Sequence, residues 1–301
     1  MPTLKGRKTK WIDIFKPNSQ DLAAIKKLHK FHPLILNELM TPSARARVEE
    51  HDDYIFIAHH IPVYDVQTKT SRRSEVDFLI TKDMIITARY EPLEQIDGFL
   101  QDLARDPKMQ RDLLSGDSYI MLHQIFEKIM DFSLRQLRHI EERVEFIAHN
   151  IFKREGNLLA QISGIKRDVL DYRLIVRPHT ELFESLRKVG IRFWGKKSEV
   201  YLNNLSGENL RVIQYLENYY EIVESLEATN AQLLNAATNA VIKRFTIIAF
   251  LFSIPLFFIF SMGVPYIDAI INTPSKFWSI FALIIALISW AAWLFKKKKL
   301  F

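Results

Sequence analysis

The sequence predicts a mixed α/β (α+β) cytoplasmic N-terminal domain, followed by a long α-helical stalk and two C-terminal transmembrane helices. Three observations carry this reading. Short β-prone runs alternate with helical stretches over residues 11–90. From Ser198 to Ile254 there is no proline and only one glycine, Gly207, so a single helix can run from about 198 to about 264. The runs Phe245–Ile267 and Phe277–Phe295 contain no charged residue, and at about 1.5 Å rise per residue each covers a hydrocarbon core of roughly 30 Å.

In chain order, Trp11–Phe15 reads as a strand, followed by helices from about Gln20 to Lys30 and around Pro33–Met40. Strands follow at Tyr54–Val63, Glu75–Ile80 and Met84–Tyr90, with Lys82-Asp83 as a tight connection. A half-buried sheet covered by helices is the economical arrangement. Asp117 or Ser118 caps a long amphipathic helix to about Phe152, Gly156 marks a break, and a further helix reaches about Lys188 before Gly195. Pro2–Lys10 and Leu300-Phe301 read as loose ends. The expected division is 1–115 for the cytoplasmic domain, 116–196 for a helical hairpin region packing on the stalk, and 197–244 for the cytoplasmic stalk. The first transmembrane helix takes 245–267, an external loop 268–276, the second helix 277–295 and a basic cytoplasmic tail 296–301.

One face of the long helix is unusual. Asn239, Thr246, Ser253 and Phe260 fall seven apart, with Ile242, Ala249, Leu256 and Gly263 as a second row three residues along. Upstream the same 4-3 rhythm passes through Gln214, Asn218, Glu221, Ser225, Ala228, Gln232 and Asn235, nearly all polar or small. A dry helical seam would be apolar, whereas a polar one is tolerated where water fills the space between helices, which in a membrane means a pore. Close approach of helices through small residues is the alternative source of such a pattern.

Lys243 and Arg244 precede the first span and Lys296, Lys297, Lys298 and Lys299 follow the second, while the link holds only Asp268 and Lys276. The positive-inside rule then places both termini in the cytoplasm, the expected home being the inner or plasma membrane. Trp278, Trp290 and Trp293 lie near the ends of the second span, where aromatic rings favour the lipid interface. The net charge of +6 includes those four terminal lysines, so it reflects membrane orientation and no nucleic-acid partner is expected. With no cysteine there are no disulfides or thiolate metal sites, and no apolar stretch near the N-terminus resembles a signal peptide.

Several motifs stand out: His32-Pro33-Leu34, Thr41-Pro42-Ser43, Arg47-Val48-Glu49-Glu50 and Asp52-Asp53-Tyr54, then Thr238-Asn239, Lys243, Thr246-Ile247-Ile248-Ala249, Pro255-Leu256 and the tail Lys296–Lys299. Together they resemble the CorA-type family of magnesium and divalent-cation transporters. The resemblance covers nearly the whole chain. It implies a homopentamer with membrane lipid around it, a stalk helix continuing into a pore-lining first span, and a second span outside. It also implies a transported divalent cation and no other cofactor.

Two departures from the family pattern stand out. Members end the pore helix in Gly-Met-Asn, whose asparagine ring holds the hydrated cation, but an ungapped count from Thr246 reaches Gly263-Val264-Pro265 here. Proline has no side-chain carbonyl and no N–H to take over that role. Tyr266 and Asp268 are the candidate substitutes at the outer mouth, set against a simple helix stop and a solvated loop. In the stalk, relatives place regulatory carboxylates just after a Val-Tyr pair, where this chain has Val200-Tyr201 followed by Leu202-Asn203-Asn204-Leu205-Ser206-Gly207. Neutral Asn204 and Gly207 suit a hard divalent ion poorly.

Other polar residues point away from catalysis. His59 and His60 are adjacent on a strand, so their side chains go to opposite faces and cannot chelate one ion together. His51, Asp52 and Asp53 suit a turn before a strand, and Glu141, Glu142 and Glu145 with Arg138 and Arg143 suit a solvated helix face or an acidic rim. No phosphate loop, zinc-protease helix or nucleophile elbow occurs, so no enzyme is expected.

The expected function is a divalent-cation channel or transporter, magnesium first. Its pore is lined by Asn239, Ile242, Thr246, Ala249, Ser253, Leu256, Phe260 and Gly263, and its outer mouth is formed by Gly263, Val264, Pro265, Tyr266 and Asp268. Gln214, Asn218, Glu221, Ser225, Gln232 and Asn235 line a cytoplasmic funnel, and Lys243, Arg244 and Lys296–Lys299 form a basic collar. A zinc, cobalt or nickel transporter, with or without proton coupling, and a non-transporting membrane scaffold or sensor are the alternatives.

Overall fold

The computed structural model of the chain describes residues 2–153, 157–261, 264, 267 and 273–297, the side chains of 294–296 excepted. Residues 1–227 form one compact unit and residues 228–301 another.

The first unit is built on a six-stranded sheet: β1 (Thr3–Lys5), β2 (Lys10–Phe15), β3 (Arg47–Glu50), β4 (Ile55–Asp65), β5 (Thr70–Ile80) and β6 (Met84–Arg89), in the spatial order β1-β2-β6-β5-β4-β3. Only β2 and β6 run parallel. The Lys82-Asp83 connection closes as expected, with Thr81 N–H donating to the Met84 carbonyl at 2.8 Å.

Helices cover both faces of the sheet. On one lie α1 (Ser19–Leu28) and α2 (Pro33–Glu38), whose Ile25, Ile35 and Leu36 meet Ile12, Ile14, Phe56, Leu79 and Ile86. Asn18 starts α1 with a full capping box: its side-chain oxygen accepts from Gln20 and Asp21 N–H, and the Asn18 N–H donates to the Asp21 carboxylate. The other face carries α3 (Glu94–Arg105), α4 (Pro107–Leu114), α5 (Ser118–Asn150), α6 (Leu158–Val176) and α7 (His179–Trp194). There Phe78 stacks on Phe126 of α5 at 4.9 Å, Phe126 meets Phe183 of α7 at 5.3 Å, and Trp11 meets Phe99 of α3 at 5.6 Å. The expectation of a half-buried sheet is therefore corrected: Ile55–Pro62 are buried without alternation, because both faces are covered.

Other local expectations change too. Residues 2–10 are not wholly loose, since Thr3–Lys5 pair antiparallel with Lys10–Ile12. Asp117 occupies the N-cap of α5 but makes no cap bond; its carboxylate pairs with Lys8 at 2.5 Å. The helix expected to reach Lys188 is two helices, because Pro178 lacks an N–H and stands between α6 and α7. Gly195 follows α7 at φ 86°, a conformation that favours glycine, and turns the chain into the long helix.

That helix, α8, runs over Glu199–Ser261, 63 residues, and passes from the first unit into the second. Its described residues end at Ser261, and the expected end at about 264 falls next to residues outside the description. In the second unit it is joined by α9 (Pro274–Lys297), slightly longer than the 277–295 expected. Both helices are long and apolar enough to cross a membrane.

Candidate functional site

Within the first unit α8 buries Leu202, Leu205, Asn209, Val212, Leu216, Tyr219, Val223 and Leu226. These recur every three or four residues and form one stripe on a 3.6-residue helix. Gln214, Asn218, Glu221 and Ser225 are exposed, and their helical phase puts them roughly opposite that stripe.

In the second unit the packing face passes through Phe258, which lies against Phe277 and Phe281 of α9 with ring centroids 5.9 and 6.4 Å away. Ala228, Gln232, Asn235, Asn239, Ile242, Thr246, Ala249, Ser253, Leu256 and Phe260 are all exposed. From Leu256 to Phe258 the helix turns by about 200°, so this second stripe too faces away from the helix's own packing partner.

The hydroxyls of the stripe have a defined orientation. Thr246 Oγ1 donates to the Ile242 carbonyl at 2.9 Å and Ser253 Oγ to the Phe250 carbonyl at 2.8 Å. Each proton is spent on the helix backbone, which leaves the oxygen lone pairs as acceptors toward the open side. Pro255 lies inside the helix and has no N–H, so the Leu251 carbonyl loses its usual partner one turn below it. Expecting an uninterrupted helix left this carbonyl out of account, although the proline itself was the signal.

Lys243 and Arg244 are exposed on α8, and Lys297 places its ammonium 5.2 Å from the Trp293 ring. Of the mouth residues, Val264 is described: its N–H donates to the Ser261 carbonyl at 3.1 Å and its carbonyl accepts from Ile267 N–H at 2.9 Å, a turn after the helix. Gly263, Pro265, Tyr266, Asp268, Lys298, Lys299 and the side chain of Lys296 lie outside the described residues.

The stalk departures also have a local setting. Asn204 Oδ1 lies 2.8 Å from His123 Nε2 of α5, an engagement within the chain. Gly207 faces open space. Among the described residues no group of three or more His, Asp or Glu side chains is arranged to hold a metal ion. His59 and His60 do go to opposite faces: His59 sits among Phe126, His179 and Phe183, whereas His60 Nε2 lies 3.2 Å from the Ser43 carbonyl. His51 stacks on Tyr54 at 4.3 Å, and its N–H donates to the Tyr54 carbonyl at 2.9 Å across the turn. Glu141, Glu142 and Glu145 are exposed on α5, with Glu142 3.5 Å from Arg138, while Arg143 turns to Asp168.

The sequence profile of the CorA-like Mg2+ transporter protein family matches residues 6–297. The chain belongs to this family. Among curated CorA relatives, the cobalt/magnesium transport protein CorA of Methanocaldococcus jannaschii is 20% identical over 290 residues, covering 95% of this chain and 90% of its own length. The protein of the same description from Thermotoga maritima is 22% identical over 252 residues, covering 83% of this chain and 70% of its own length. The complete structure of the M. jannaschii CorA magnesium transporter superposes with a TM-score of 0.79 at 19% identity, over 96% of this chain and 90% of that one. The CorA fold, a mixed α/β domain followed by a long helix and two C-terminal apolar helices, is thus the fold of this chain.

Proposed function

We propose that this protein is an integral membrane transporter of divalent cations, with magnesium as the principal ion. It acts as a homopentamer whose pore is lined by the polar stripe of α8. The observation that carries the reading is the position of that stripe: in each unit it lies opposite the face by which α8 packs on its own chain, free to meet copies of itself. Supporting it are the family and the two charge-free helices; on this reading the positive-inside rule puts both termini on the cytoplasmic side.

The chemistry suits a hydrated ion. Magnesium gives up water reluctantly, and the outward lone pairs of Thr246 and Ser253, with the exposed amide of Asn239, offer neutral acceptors to the water it keeps. Ile242, Ala249, Leu256 and Phe260 form apolar constrictions that gate by dewetting, and Lys243 and Arg244 set an electrostatic barrier at the cytoplasmic mouth.

A second reading, transport of zinc, cobalt or nickel with or without a proton, draws support from Gly263-Val264-Pro265, which lacks the amide oxygen of the family signature. The test is ion flux into liposomes holding the purified protein, with magnesium, zinc, cobalt and nickel compared in the presence and absence of a pH gradient. Magnesium flux independent of the gradient is the expected result. Flux of another ion alone establishes the second reading, and no flux from a folded oligomer makes the protein a membrane scaffold or sensor.

A further inference from the structure

Strand β5 carries two carboxylates, Glu75 and Asp77, on the same face and in the middle of the sheet, 3% and 0% exposed. Their hydrogen bonds account for only half of their oxygens. Glu75 Oε1 accepts from Ser43 N–H at 2.6 Å, and Asp77 Oδ2 accepts from the Tyr90 hydroxyl at 2.5 Å. Glu75 Oε2 and Asp77 Oδ1 are buried and have no hydrogen-bond partner. His60 offers at most a shared proton: its Nε2 lies 3.2 Å from the Ser43 carbonyl and 3.3 Å from Glu75 Oε2, and both oxygens can only accept.

Two ionised carboxylates offer acceptors only, and unpartnered acceptors buried side by side repel each other. One proton removes the conflict. Placed on Asp77 Oδ1 and donated to Glu75 Oε2, it turns both orphans into one charge-assisted hydrogen bond and leaves every oxygen of the pair satisfied. Glu75 and Asp77 are two residues apart on β5, so their side chains leave the same face of the sheet side by side.

We propose that Glu75 and Asp77 form a proton-binding site inside the α/β unit, sharing a single proton at neutral pH and releasing it to water at alkaline pH. The pair then passes from one negative charge to two. The charged and titratable groups around it are His60 from β4, Tyr90 after β6, Glu38 from α2, Arg73 on β5 itself, whose guanidinium donates to the Ala44 carbonyl, and Arg47 at the start of β3, whose guanidinium is held by Glu38 and Glu49. Among the described residues no arginine or lysine forms an ion pair with either carboxylate. Burial, and then the charge of Glu75, raise the Asp77 carboxyl well above the ordinary carboxylate range. Burial opposes ionisation of Glu75 as well, but His60, the Ser43 N–H and Asp77 more than offset it and lower that carboxyl.

The site has a mechanical output. Ser43 is clamped by Glu75 through its N–H, by His60 through its carbonyl and by Glu38 through its hydroxyl at 2.8 Å, and this fixes the connection from α2 to β3. Release of the proton sets two charges against the clamp and loosens the connection. The sign follows from the raised Asp77: its contribution to stability is complete below the unfolded value of 3.8 and is lost as pH rises through the folded value.

Infrared spectra of the full-length protein in detergent, recorded from about pH 5 to about pH 9, test this through the C=O stretch of a protonated carboxyl group, a form rare in ordinary carboxylates at those pH values. The wild type is expected to show the band at neutral pH and lose it on alkalinisation. Asp77→Asn should abolish it, and Glu75→Gln should move its loss down by at least about one pH unit, since the like charge is gone. Thermal unfolding provides an independent readout: the wild-type midpoint should fall by on the order of 5 °C across the alkaline limb, and that of Asp77→Asn should stay level. No neutral-pH band in the wild type, or a band that survives Asp77→Asn, overturns the proposal. A band that Glu75→Gln leaves unmoved overturns the sharing of the proton. Should Asp77→Asn fail to fold, the wild-type and Glu75→Gln spectra still decide.

Discussion

Between Glu199 and Glu227, α8 hides one apolar stripe against its own domain and turns polar residues to water. Between Phe245 and Ser261 the same helix is apolar nearly all round, and Phe250, Phe252 and Phe257 are as exposed as the polar stripe. The contrast shows that polarity carries different information in the two regions. In water a polar face is the default and marks only what is left unpacked. In a helix surrounded by lipid the default is apolar, so under the proposed function Thr246 and Ser253 are the residues that mark the pore face. The α/β unit hides its polar chemistry in the interior, where Asp168 accepts from Ser71 N–H at 2.8 Å, from the Ser71 hydroxyl at 2.9 Å and from Arg143 at 3.1 Å, with His139 Nε2 at 2.7 Å.

The largest effect is expected at that buried carboxylate. Asp168→Ala should cost the first unit about 3–5 kcal/mol, because Arg143, His139 and the Ser71 groups lose their common acceptor. Chemical denaturation measures it, and a loss below about 1 kcal/mol would mean that the interior network matters no more than surface pairs. The transmembrane helices should keep their helical circular dichroism throughout.

Acid comes next. Burial, then the nearby His179 and His60, push the His59 imidazole well below its usual 6.5, and burial lowers His179 to about 3. Both rings are neutral when folded, whereas the unfolded chain takes up protons near the ordinary value. Stability present above about pH 6.5 should therefore be lost as pH falls toward 3, by about 1.4 kcal/mol per pH unit for each ring. Replacing His59 with Leu should roughly halve the slope in a urea-midpoint series. An unchanged slope would place the acid sensitivity elsewhere.

Ser253→Leu bears on the second unit alone. With neither burial nor α9 contact at stake, its folding should be unaffected and ion flux should fall at least about tenfold, which corresponds to about 1.4 kcal/mol of barrier. Equal flux in the variant would return the stripe to ordinary lipid-facing surface and erase the contrast.

What could be read from the chain itself followed from local rules. Strand β6 was legible to within one residue because Met84–Arg89 are β-prone and follow the tight Lys82-Asp83 connection. Strand β3 escaped notice because Arg47-Val48-Glu49-Glu50 is mostly charged, as suits the sheet edge where it pairs only with β4. Strand β1 has just three residues. The polar stripe of α8 was legible because its spacing is a property of one helix. Glu75 and Asp77 gave no sign of their role: a strand reading makes alternate polar residues solvent-facing, and here that face is covered.

By itself the sequence determined the two charge-free helices, the 4-3 rhythm of Asn239, Thr246 and Ser253, and the altered Gly263-Val264-Pro265, because hydrophobic length and helical period are local quantities. Tertiary structure decided which face of α8 stays open, where Asn204 is engaged, and that carboxylates on β5 meet partners from other strands and helices. Ser71 and Asp168 are 97 positions apart, and Thr81 and Ser118 are 37 apart in the same unit. Whether a buried polar group is satisfied depends on which distant segments the packing brings beside it, and no local pattern specifies that.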